Sequence, residues 1–470
     1  MDKSKIRDLH NALAVERPRW IEKSRYYHDD IGSFVASLVG PGDSVLEIGC
    51  GIGGLIGSLK CRFAVGVDLS EAMIRLARQR YGSCRFVTGD AEDLPLRSTF
   101  DIVILADTIG FLPDMQKAFE GLGAVTDKRS RVLIMHYNYL WEPVLSFLEA
   151  VGLKMPQPVQ NWLPIQDIEN LLYLSGFEII RRGYRLLLPV GLPWVSTFFN
   201  RFLAKLPVIR RLCLIQWVIA KPLPRPEAPG SVSSSVVVPC RDERGNIRDL
   251  VRRVPTMGKS TELIFVDGAS TDGTVEEIRK VQKEYPGRNI RLIEQGKAGG
   301  KGDAVHMGFE RATGDVMMIL DADLTVAPED LPRFFDALVQ GKGEFINGTR
   351  LVYPMEKQGM RFLNRVANQC FGILFTFSLE QRFTDTLCGT KALWKRDYEK
   401  IRMGRDYFGN FDPFGDYDLI FGGARRNLKM VELPVRYRER TYGITKTKRF
   451  VHGWLLLKMS WIAMKKLKFI

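Results

Sequence analysis

The chain has 470 residues, of which 45% are hydrophobic and 10% aromatic, and its formal net charge is +14. This length exceeds one ordinary hydrophobic core and the composition excludes an intrinsically disordered chain, so we expect two folded domains of about 200 residues each. The excess of lysine and arginine favours anionic partners, although charge alone does not choose among nucleic acid, acidic lipid and phosphorylated substrates.

The cysteines and the N-terminus indicate the compartment. The seven cysteines are scattered, and none lies in a C-x-x-C pair. This argues against a disulfide framework and a zinc site and favours a reducing cytosol. The first residues are charged, unlike a signal peptide, and no run of 18 apolar residues occurs. We therefore expect a cytoplasmic protein without a membrane-spanning segment.

The first half alternates short apolar segments with helical patterns, which is typical of a parallel α/β sheet. Its predicted strands are Val45–Ile48, Phe63–Val67 and Ile102–Ala106. The first strand runs into a turn with glycines at 49, 51 and 53. Glycine permits a tight strand-to-helix turn and a close approach of the backbone to a ligand. The turn therefore predicts a cofactor site.

Acidic residues at fixed places sharpen this prediction. Asp68 ends the second strand, where a carboxylate can hold both ribose hydroxyls, and Asp90 follows the third, where a carboxylate suits an adenine amino group. Together with Glu47–Gly53 they resemble the motifs of class I S-adenosyl-L-methionine-dependent methyltransferases over about residues 25–180. An NAD-binding domain would show G-x-G-x-x-G instead. The resemblance implies this cofactor, bound by Glu47, Gly49, Gly51, Gly53, Asp68 and Asp90, with Glu47 near its methionine amino group.

The methyl acceptor is less clear from the sequence. Polar and aromatic residues follow the predicted fourth and fifth strands, namely Asp107, His136, Tyr137, Asn138, Tyr139 and Trp141. They are candidates for positioning an acceptor, because methyl transfer depends strongly on the placement of the nucleophile. A lone histidine in such a place is more often a hydrogen-bonded structural residue, so we do not predict His136 as a base.

Residues 179–226 contain no acidic residue and interleave basic with apolar side chains. Such a stretch suits a membrane surface, where a helix can lie in the headgroup region. A core-packed pair of helices with solvated arginines is an equal alternative. The stretch is too apolar for a groove that follows nucleic-acid phosphates, so we expect no nucleic-acid partner.

Four prolines between residues 220 and 231 indicate a linker, because proline fixes φ and removes a hydrogen-bond donor. We place a methyltransferase domain at residues 1–221, the linker at 222–234 and a second domain at 235–470. The predicted strands of the second half are Val236–Pro239, Leu263–Val266 and Val316–Leu320. We therefore expect an α/β fold with two Rossmann-like domains, each a mostly parallel sheet flanked by helices.

Asp321 and Asp323 follow the last of these strands and flank a small residue. Carboxylates at i and i+2 can jointly hold a divalent cation that bridges two phosphates. The ordered segments Pro239–Glu243, Val266–Thr274, Gly300–Ala304 and Asp321–Asp323 resemble the family 2 glycosyltransferases of the dolichyl- and polyprenyl-phosphate sugar synthase type. The chain departs from that pattern at Arg241, Gly268 and Thr325.

This second resemblance implies a nucleotide-sugar donor and a lipid-phosphate acceptor. The implied donor-binding residues are Pro239, Glu243, Asp267, Lys301 and Arg350, with Lys301 near the diphosphate and Arg350 on a phosphate. Asp321 and Asp323 would bind Mg²⁺ or Mn²⁺. Residues 385–391 resemble a segment typical of the lipid-phosphate branch. A polyprenyl phosphate needs no general base, whereas a hydroxyl acceptor needs one, for which Asp416 and Asp418 are the candidates.

The apolar segment Phe450–Met464 near the C-terminus is too short and too interrupted to span a bilayer. It could lie at the membrane surface with Trp454 and Trp461 as anchors, or it could be a helix docked on the core. We predict a bifunctional transferase, peripheral on the inner face of the cell membrane, that transfers methyl groups and, with inversion, a sugar to polyprenyl phosphate. The alternatives are a hydroxyl-directed glycosyltransferase and a methyltransferase-like half that only binds.

Overall fold

The computed structural model describes residues 2–158, 160–224, 226–296, 299–352, 362–407, 417–438, 440, 442 and 449–469. The chain divides into two compact units. The N-terminal unit comprises Met1–Leu223 with Phe469–Ile470, and the C-terminal unit comprises Pro224–Lys468. Within the predicted linker 222–234, Pro222 pairs with Phe177 at the end of one strand and Ser234 begins the next strand.

The N-terminal unit alternates strands with helices. Its helices are α1 Lys3–Leu13, α2 Arg17–Lys23, α3 Arg25–Leu38, α4 Gly54–Gly57, α5 Glu71–Arg80, α6 Met115–Gly121, α7 Glu142–Ala150, α8 Ile165–Leu174 and α9 Val195–Arg201. Its strands are β1 Ser44–Ile48, β2 Phe63–Asp68, β3 Arg85–Thr88, β4 Ile102–Ala106, β5 Arg131–Tyr137, β6 Phe177–Arg185 and β7 Ile215–Pro222. The three strands predicted in this half are confirmed.

These seven strands form one sheet in the order β3-β2-β1-β4-β5-β7-β6. The first five pair in parallel, and β7 runs antiparallel to β5 and β6. Side chains alternate between the two faces, so that Val45 and Leu46 of β1 join different core clusters. The strand order reverses between β1 and β4, and ligands of open α/β sheets bind at such a point.

Residues 179–226 do not form the pair of helices that was one of the two predicted alternatives. The stretch begins in β6 and ends in β7, which lie side by side in the sheet. Between them, in residues 186–214, all of which the structure describes, the only α-helix is α9, with seven residues. Apolar residues of β7 such as Val218 and Ile219 account for part of the apolar character, since they are buried in the core.

The C-terminal unit has the same alternation. Its helices are α10 Arg244–Arg253, α11 Thr274–Glu284, α12 Lys301–Arg311, α13 Leu331–Val339, α14 Phe362–Leu379, α15 Lys395–Met403, α16 Tyr417–Arg425 and α17 Arg449–Ala463. Its strands are β8 Ser234–Cys240, β9 Thr261–Asp267, β10 Asn289–Glu294, β11 Val316–Ile319, β12 Phe345–Thr349, β13 Lys391–Trp394 and β14 Met430–Pro434. The predicted strands correspond to β8, β9 and β11, although β11 ends one residue before Leu320.

The second sheet has the order β10-β9-β8-β11-β13-β12-β14, and of these described strands only β13 runs antiparallel to its neighbours. Both units are thus α/β folds with mostly parallel sheets, as predicted. Within the described part of the chain, every helix falls short of the length or the apolar character needed to cross a bilayer.

Candidate active sites of the two units

The glycine turn after β1 can be built only from glycine at two positions. Gly49 and Gly53 have φ of +76° and +77°, a region that side chains other than glycine rarely adopt. A Cβ atom at Gly49 would collide with Thr108, and one at Gly53 would lie 2.8 Å from the ring of Phe86. The turn therefore brings bare backbone to the edge of the sheet where β1 and β4 diverge.

Asp68 holds this turn in place. Its carboxylate accepts hydrogen bonds from the backbone N–H groups of Gly51 and Ser70, each at 2.8 Å. Burial raises the pKa of Asp68, while those two hydrogen bonds act in the opposite direction. The carboxylate is thus fixed beside the glycine turn. Asp68 also lines the pocket described below.

Asp90 is also held from a distant part of the chain. Lys3 Nζ lies 2.6 Å from Asp90 Oδ2 and 2.7 Å from Glu92 Oε2. No sequence pattern connects Lys3 with Asp90, because helix α1 and the end of β3 lie 87 residues apart in the chain. Helix α1 therefore contributes to this site.

A pocket with about 1050 Å³ of empty space lies at the carboxyl ends of β1, β2 and β4. Four of the predicted cofactor residues line it: Gly49, Gly51, Asp68 and Asp90. Its wall also includes residues that sequence reasoning missed, among them Lys3, Ile6, His10, Arg17, Met155 and Gln157. A pocket of this size accommodates a small-molecule ligand, and its basic and acidic walls suit a zwitterionic one.

Glu47 and Gly53 do not line the pocket but lie beneath it. Glu47 is 3% exposed, and its Oε2 accepts the backbone N–H of Ile56 at 3.1 Å. Burial raises the pKa of Glu47 to about 8, opposed in part by that hydrogen bond. Without a cationic ligand nearby, Glu47 is therefore largely protonated at neutral pH.

Glu47 should make the stability of the N-terminal unit depend on pH. Its folded pKa of about 8 exceeds the ordinary value, so its stabilising contribution is complete below ~pH 4 and is lost as the pH rises through about 8. In Glu47→Gln the neutral amide cannot ionise. Without cofactor, we expect the Tm of the parent to fall between about pH 5 and about pH 9 more steeply than that of the variant, with a gap of several °C at the upper end.

Calorimetry or circular dichroism on both proteins measures these slopes. The expected position of Glu47 near the methionine amino group predicts that the same substitution also weakens binding of S-adenosyl-L-methionine. Parallel pH profiles for the parent and the variant would contradict the raised pKa. A variant that unfolds at every pH would instead indicate that the introduced amide cannot keep the hydrogen bond from Ile56.

Asp107 lies at the other end of the pocket with an unusual backbone. Its φ is +55°, a conformation that non-glycine residues adopt at a cost. Tyr27 donates its hydroxyl to Asp107 Oδ2, whereas the buried Oδ1 has no hydrogen-bond partner among the described residues. Burial raises the pKa of Asp107 to about 6, although Tyr27 and the positive charge of Arg17 lower it. One carboxylate oxygen is thus buried at the pocket without a hydrogen bond from the described residues.

Aromatic rings surround this carboxylate. The rings of Tyr27 and Tyr137 stack with their centroids 6.0 Å apart, and Tyr137 lines the pocket. Burial, followed by the negative charge of Asp107, raises the pKa of Tyr137. Its hydroxyl therefore stays protonated and can donate a hydrogen bond at physiological pH.

The other residues considered for the acceptor have structural contacts. His136 is buried, its Nε2 lies 3.0 Å from the carbonyl of Asn161, and burial lowers its pKa to about 4. Asn138 and Trp141 donate to backbone carbonyls of residues 211–213. These contacts agree with the expectation that His136 is not the base.

In the C-terminal unit, the predicted donor residues gather where β8 and β9 end. Pro239 lies in β8, and Cys240 pairs with Asp267 at the end of β9. Asp267 is buried and accepts the N–H and the hydroxyl of Ser270. Glu243 accepts from Asn246 Nδ2 at 2.7 Å. Parallel strands thus bring the first two motifs to one edge.

Asp321 and Asp323 follow β11 at the same edge, and each faces a cation. Lys301 Nζ lies 2.6 Å from Asp321, and Arg440 lies 2.5 Å from Asp323 and 3.5 Å from Glu243. Burial raises the pKa of Asp321, but Lys301 outweighs it, so the pKa lies below its ordinary value. Both carboxylates are therefore held in fixed positions, and Arg440 is a participant that sequence reasoning missed.

Carboxylate oxygens are ligands that suit Mg²⁺ or Mn²⁺. These ions are commonly held by one or two protein carboxylates together with substrate phosphates and water. The described residues contain no cluster of three or more histidine, cysteine or acidic side chains that could hold a metal by themselves. A cation at Asp321 and Asp323 would therefore need oxygen atoms from a donor diphosphate. Metal binding by these residues stays a prediction.

The segment 385–391 packs directly against this ion pair. A Cβ atom at Gly389 would collide with Asp321 Oδ2 and lie 2.7 Å from Lys301 Nζ. Lys391 is fully buried, donates to the carbonyl of Cys388 and adds positive charge near Asp321. The glycine in this segment is thus needed so that Asp321 and Lys301 can meet.

Arg350 is engaged within the protein. Its Nε and Nη2 donate to the two carboxylate oxygens of buried Asp385, at 2.7 and 2.8 Å. This fork orients the 385–391 segment. The predicted contact of Arg350 with a phosphate stays a prediction, with two guanidinium nitrogens already committed to Asp385.

Of the two candidate bases for a hydroxyl acceptor, the structure describes one. Asp416 lies outside the described residues. Asp418 lies in the first turn of helix α16, 3.1 Å from His306 Nε2 and 3.1 Å from Arg405 Nε. It is therefore part of a polar cluster with His306 of α12 and Arg405, which follows α15.

Comparison with known proteins matches both halves of the chain to families. Residues 235–416 match the family described as glycosyl transferase family 2, and residues 46–134 match the family described as methyltransferase domain. Two solved structures are similar in fold to separate halves. A possible histamine N-methyltransferase of Thermotoga maritima is 18% identical, with a TM-score of 0.36, and covers 46% of this chain and 99% of its own.

The second is glucosyl-3-phosphoglycerate synthase of Mycobacterium tuberculosis, in complex with Mn²⁺, uridine diphosphate and glucosyl-3-phosphoglycerate. It is 16% identical, with a TM-score of 0.38, and covers 50% of this chain and 80% of its own.

Sequence relatives match part of the chain. The chain is 41% identical over 113 residues to dolichol-phosphate mannosyltransferase of Saccharomyces cerevisiae, covering 23% of this chain and 42% of the yeast protein. It is 28% identical over 216 residues to undecaprenyl-phosphate 4-deoxy-4-formamido-L-arabinose transferase of Edwardsiella ictaluri, covering 45% of this chain and 62% of that protein. The chain thus spans about half the length of the curated relatives it matches.

Proposed function

Because the chain joins a methyltransferase domain to a family 2 glycosyltransferase domain, we propose that it is a bifunctional transferase working at a membrane surface. The C-terminal unit transfers a sugar from a nucleotide-sugar to a polyprenyl phosphate with inversion. The N-terminal unit transfers a methyl group from S-adenosyl-L-methionine to a related sugar, lipid or glycan. Three donor-site motifs meet Asp321 and Asp323 at one edge of the sheet. This arrangement is the main support for the proposed sugar transfer.

In the proposed sugar transfer, the acceptor phosphate oxygen forms a bond to the anomeric carbon while the bond from that carbon to the diphosphate breaks. A divalent cation bound by Asp321 and Asp323 would neutralise charge on the departing nucleoside diphosphate. Lys301 and Arg440 hold those carboxylates and lie where they can also meet phosphate oxygens. Asp267 and Glu243 bind the nucleoside.

The acceptor is a lipid phosphate in this proposal. The names of the matched relatives specify dolichol phosphate or undecaprenyl phosphate. A phosphate that is already ionised needs no proton acceptor. A hydroxyl acceptor with Asp416 or Asp418 as base is the alternative, but Asp418 already has a cationic partner, since Arg405 Nε lies 3.1 Å from its carboxylate.

In the proposed methyl transfer, the pocket holds the cofactor with its ribose against Asp68 and its adenine near Asp90. The cofactor supplies a methyl group on a positively charged sulfur. Asp107 would accept the proton that an acceptor hydroxyl loses when its oxygen takes the methyl group, and the cofactor would leave as a neutral thioether. Tyr27 donates a hydrogen bond to Asp107 and so fixes its position. Tyr137 lines the same pocket, where its hydroxyl can donate a hydrogen bond.

The C-terminal helix provides membrane contact in this proposal. Met459 and Ala463 of α17 are buried in the core, so the helix is docked along one face. Its opposite face exposes Trp454, Leu457 and Trp461, spaced at i, i+3 and i+7. Exposed tryptophans beside lysines suit the headgroup region of a bilayer. The proposed location is accordingly the inner face of the cell membrane.

A donor and acceptor screen tests the proposed sugar transfer. The full chain is incubated with Mn²⁺, labelled UDP-, GDP- or dTDP-sugars, and a short polyprenyl phosphate, with the matching polyprenol as control. We expect a labelled, mild-acid-labile lipid from the phosphate and none from the polyprenol. Label on the polyprenol would favour the hydroxyl alternative, and no labelled lipid with any donor would contradict the proposal.

The methyl-transfer proposal has its own test, because the N-terminal unit could bind the cofactor without turnover. Release of S-adenosylhomocysteine is measured with membrane extracts as the acceptor source, beside cofactor binding by calorimetry. Binding together with release supports a methyltransferase. Binding without release from any extract favours a non-catalytic binding module.

A further inference from the structure

The segment between β6 and β7 of the N-terminal unit turns large apolar side chains outward. Trp194 is 86% exposed and Val208 80% exposed. More than half a dozen further apolar side chains in this segment are exposed, namely Val190, Leu192, Val195, Phe198, Phe199, Phe202, Leu206 and Leu212. Single exposed apolar residues are ordinary in soluble proteins, but a contiguous group of this size marks an interaction site.

The segment is nevertheless well anchored, and its anchors are small polar side chains. Asn200 exchanges two hydrogen bonds of 2.8 Å with the backbone of Leu188 and donates to Tyr26 at 3.0 Å. Buried Ser196 bonds to the backbone of residues 190 and 192. Polar groups thus face inward and aromatic groups face outward, the reverse of a segment that packs on its own core.

Trp194 also has a strained backbone. Its φ of +62° lies in a region that bulky side chains rarely adopt, and it directly precedes helix α9. Core packing does not compensate for this strain, because the indole is exposed. Strained backbone conformations cluster at functional sites such as ligand clamps and switch regions.

A second apolar strip adjoins the first. Six exposed residues lie on the turn before α7, on that helix and just after it, namely Tyr139, Leu140, Val144, Phe147, Val151 and Leu153. Asn138, just before this strip, and Trp141 within it donate hydrogen bonds to the carbonyls of residues 211–213 at the end of the first strip. The two strips, residues 139–153 and 190–212, therefore form one apolar face.

Charge identifies the occupant of this face. No acidic residue occurs between Glu178 and Glu227, while four basic residues lie among the apolar side chains of the longer strip, namely Arg201, Lys205, Arg210 and Arg211. The shorter strip adds Glu142 and Glu149, and Glu149 is paired with Lys154. Apolar side chains with basic neighbours complement an anionic bilayer, whose headgroups attract lysine and arginine while its interior accepts aromatic rings.

We propose that the apolar face of residues 139–153 and 190–212 docks the methyltransferase unit on an anionic bilayer. This proposal depends neither on the membrane contact proposed for helix α17 nor on either proposed activity. Tyr137 and Met155, which flank the shorter strip in sequence, both line the cofactor pocket. Both ends of the shorter strip are therefore close in sequence to residues of the pocket wall.

Vesicle sedimentation of the full chain tests this contact, using phosphatidylcholine vesicles with and without phosphatidylglycerol. Trp194→Glu should lower partitioning onto anionic vesicles about tenfold, because it places a charge where an indole would enter the interface. Phe147→Glu should act in the same direction. Val15→Glu is the matched control, since Val15 is 82% exposed on the same unit but outside the face, and it should bind as the parent does.

Each variant is also made in a Trp461→Glu background, which removes the other proposed contact. Unchanged binding of S-adenosyl-L-methionine verifies that Trp194→Glu is folded. If Trp194→Glu and Phe147→Glu partition like the parent in both backgrounds, the docking face is refuted, whereas loss by Trp461→Glu alone leaves the proposed function intact. If the parent forms a dimer that Trp194→Glu dissociates without changing vesicle binding, the face is a protein interface and the proposal is overturned.

Discussion

Replacing Asp323 by alanine is expected to reduce sugar transfer about a thousandfold or more. Loss of its carboxylate removes one of the two proposed cation ligands, and charge stabilisation of this kind contributes several kcal/mol to phosphate departure. It also leaves Arg440, which lies 2.5 Å from Asp323, without that counter-charge beside the donor site. The measurement is label transfer from the active donor to polyprenyl phosphate, with Mn²⁺ titrated in both proteins.

The control for this change is Asp336→Ala, which removes an exposed carboxylate from α13 of the same unit. It should transfer sugar at the parental rate. Binding of S-adenosyl-L-methionine should be equal in all three proteins, because the cofactor pocket lies in the other unit. Sugar transfer that survives Asp323→Ala would remove the basis for a metal at this site, and joint loss of cofactor binding would contradict independent domains.

Replacing Asp107 by asparagine is expected to slow methyl transfer by about a hundredfold to ten-thousandfold, the usual contribution of a positioned base. The amide keeps an oxygen that can accept the Tyr27 hydroxyl but cannot take a proton. In the parent, turnover should rise with pH through about 6 as Asp107 ionises, with Tyr27, Tyr137 and Arg17 as the groups that face it. In the variant this rise should disappear.

Transfer of labelled methyl groups into an extracted acceptor measures this effect, and calorimetry should find cofactor affinity nearly unchanged. Asp29→Asn is the control, because Asp29 is an exposed carboxylate on α3 of the same unit. A variant that retains parental turnover would exclude Asp107 as the base and favour an acceptor that loses its proton before binding. If turnover is low but its pH profile is unchanged, Asp107 positions the acceptor and does not act as the base.

The sequence predicted what short segments determine. The turn at Gly49 and the carboxylate of Asp68 are set by motifs that need only a strand, a turn and a neighbouring strand. The parallel sheets follow from the alternation of apolar segments with helical patterns. Both α/β folds were therefore predicted correctly, and the family models match the predicted halves at residues 46–134 and 235–416.

Contacts between distant segments could not be predicted in this way. Lys3 meets Asp90 across 87 residues, Tyr27 meets Asp107 across 80, and Arg440 meets Asp323 across 117. Each partner is an ordinary surface residue type with no local pattern to mark it. The antiparallel strands β7 and β13 were missed for a related reason, since their place in the sheet depends on pairing rather than on periodicity.

The apolar character of residues 190–212 was visible in the sequence, but its meaning was not. Aromatic residues at this density suit a buried helix pair and a membrane surface equally. The alternatives separate only when the direction of each side chain is known, and here Ser196 faces inward while Trp194 faces outward. The sequence pattern identifies the apolar residues, but it does not show whether the protein core or a membrane surrounds them.

The outward-facing Trp194 has a kinetic consequence. A catalyst anchored at a bilayer encounters lipid-borne molecules by diffusion in two dimensions, so its velocity follows their mole fraction in the surface rather than their amount in the sample. Diluting such an acceptor with inert lipid at constant total amount would then slow the reaction. The lipid composition of an assay would thus act as a kinetic variable in its own right.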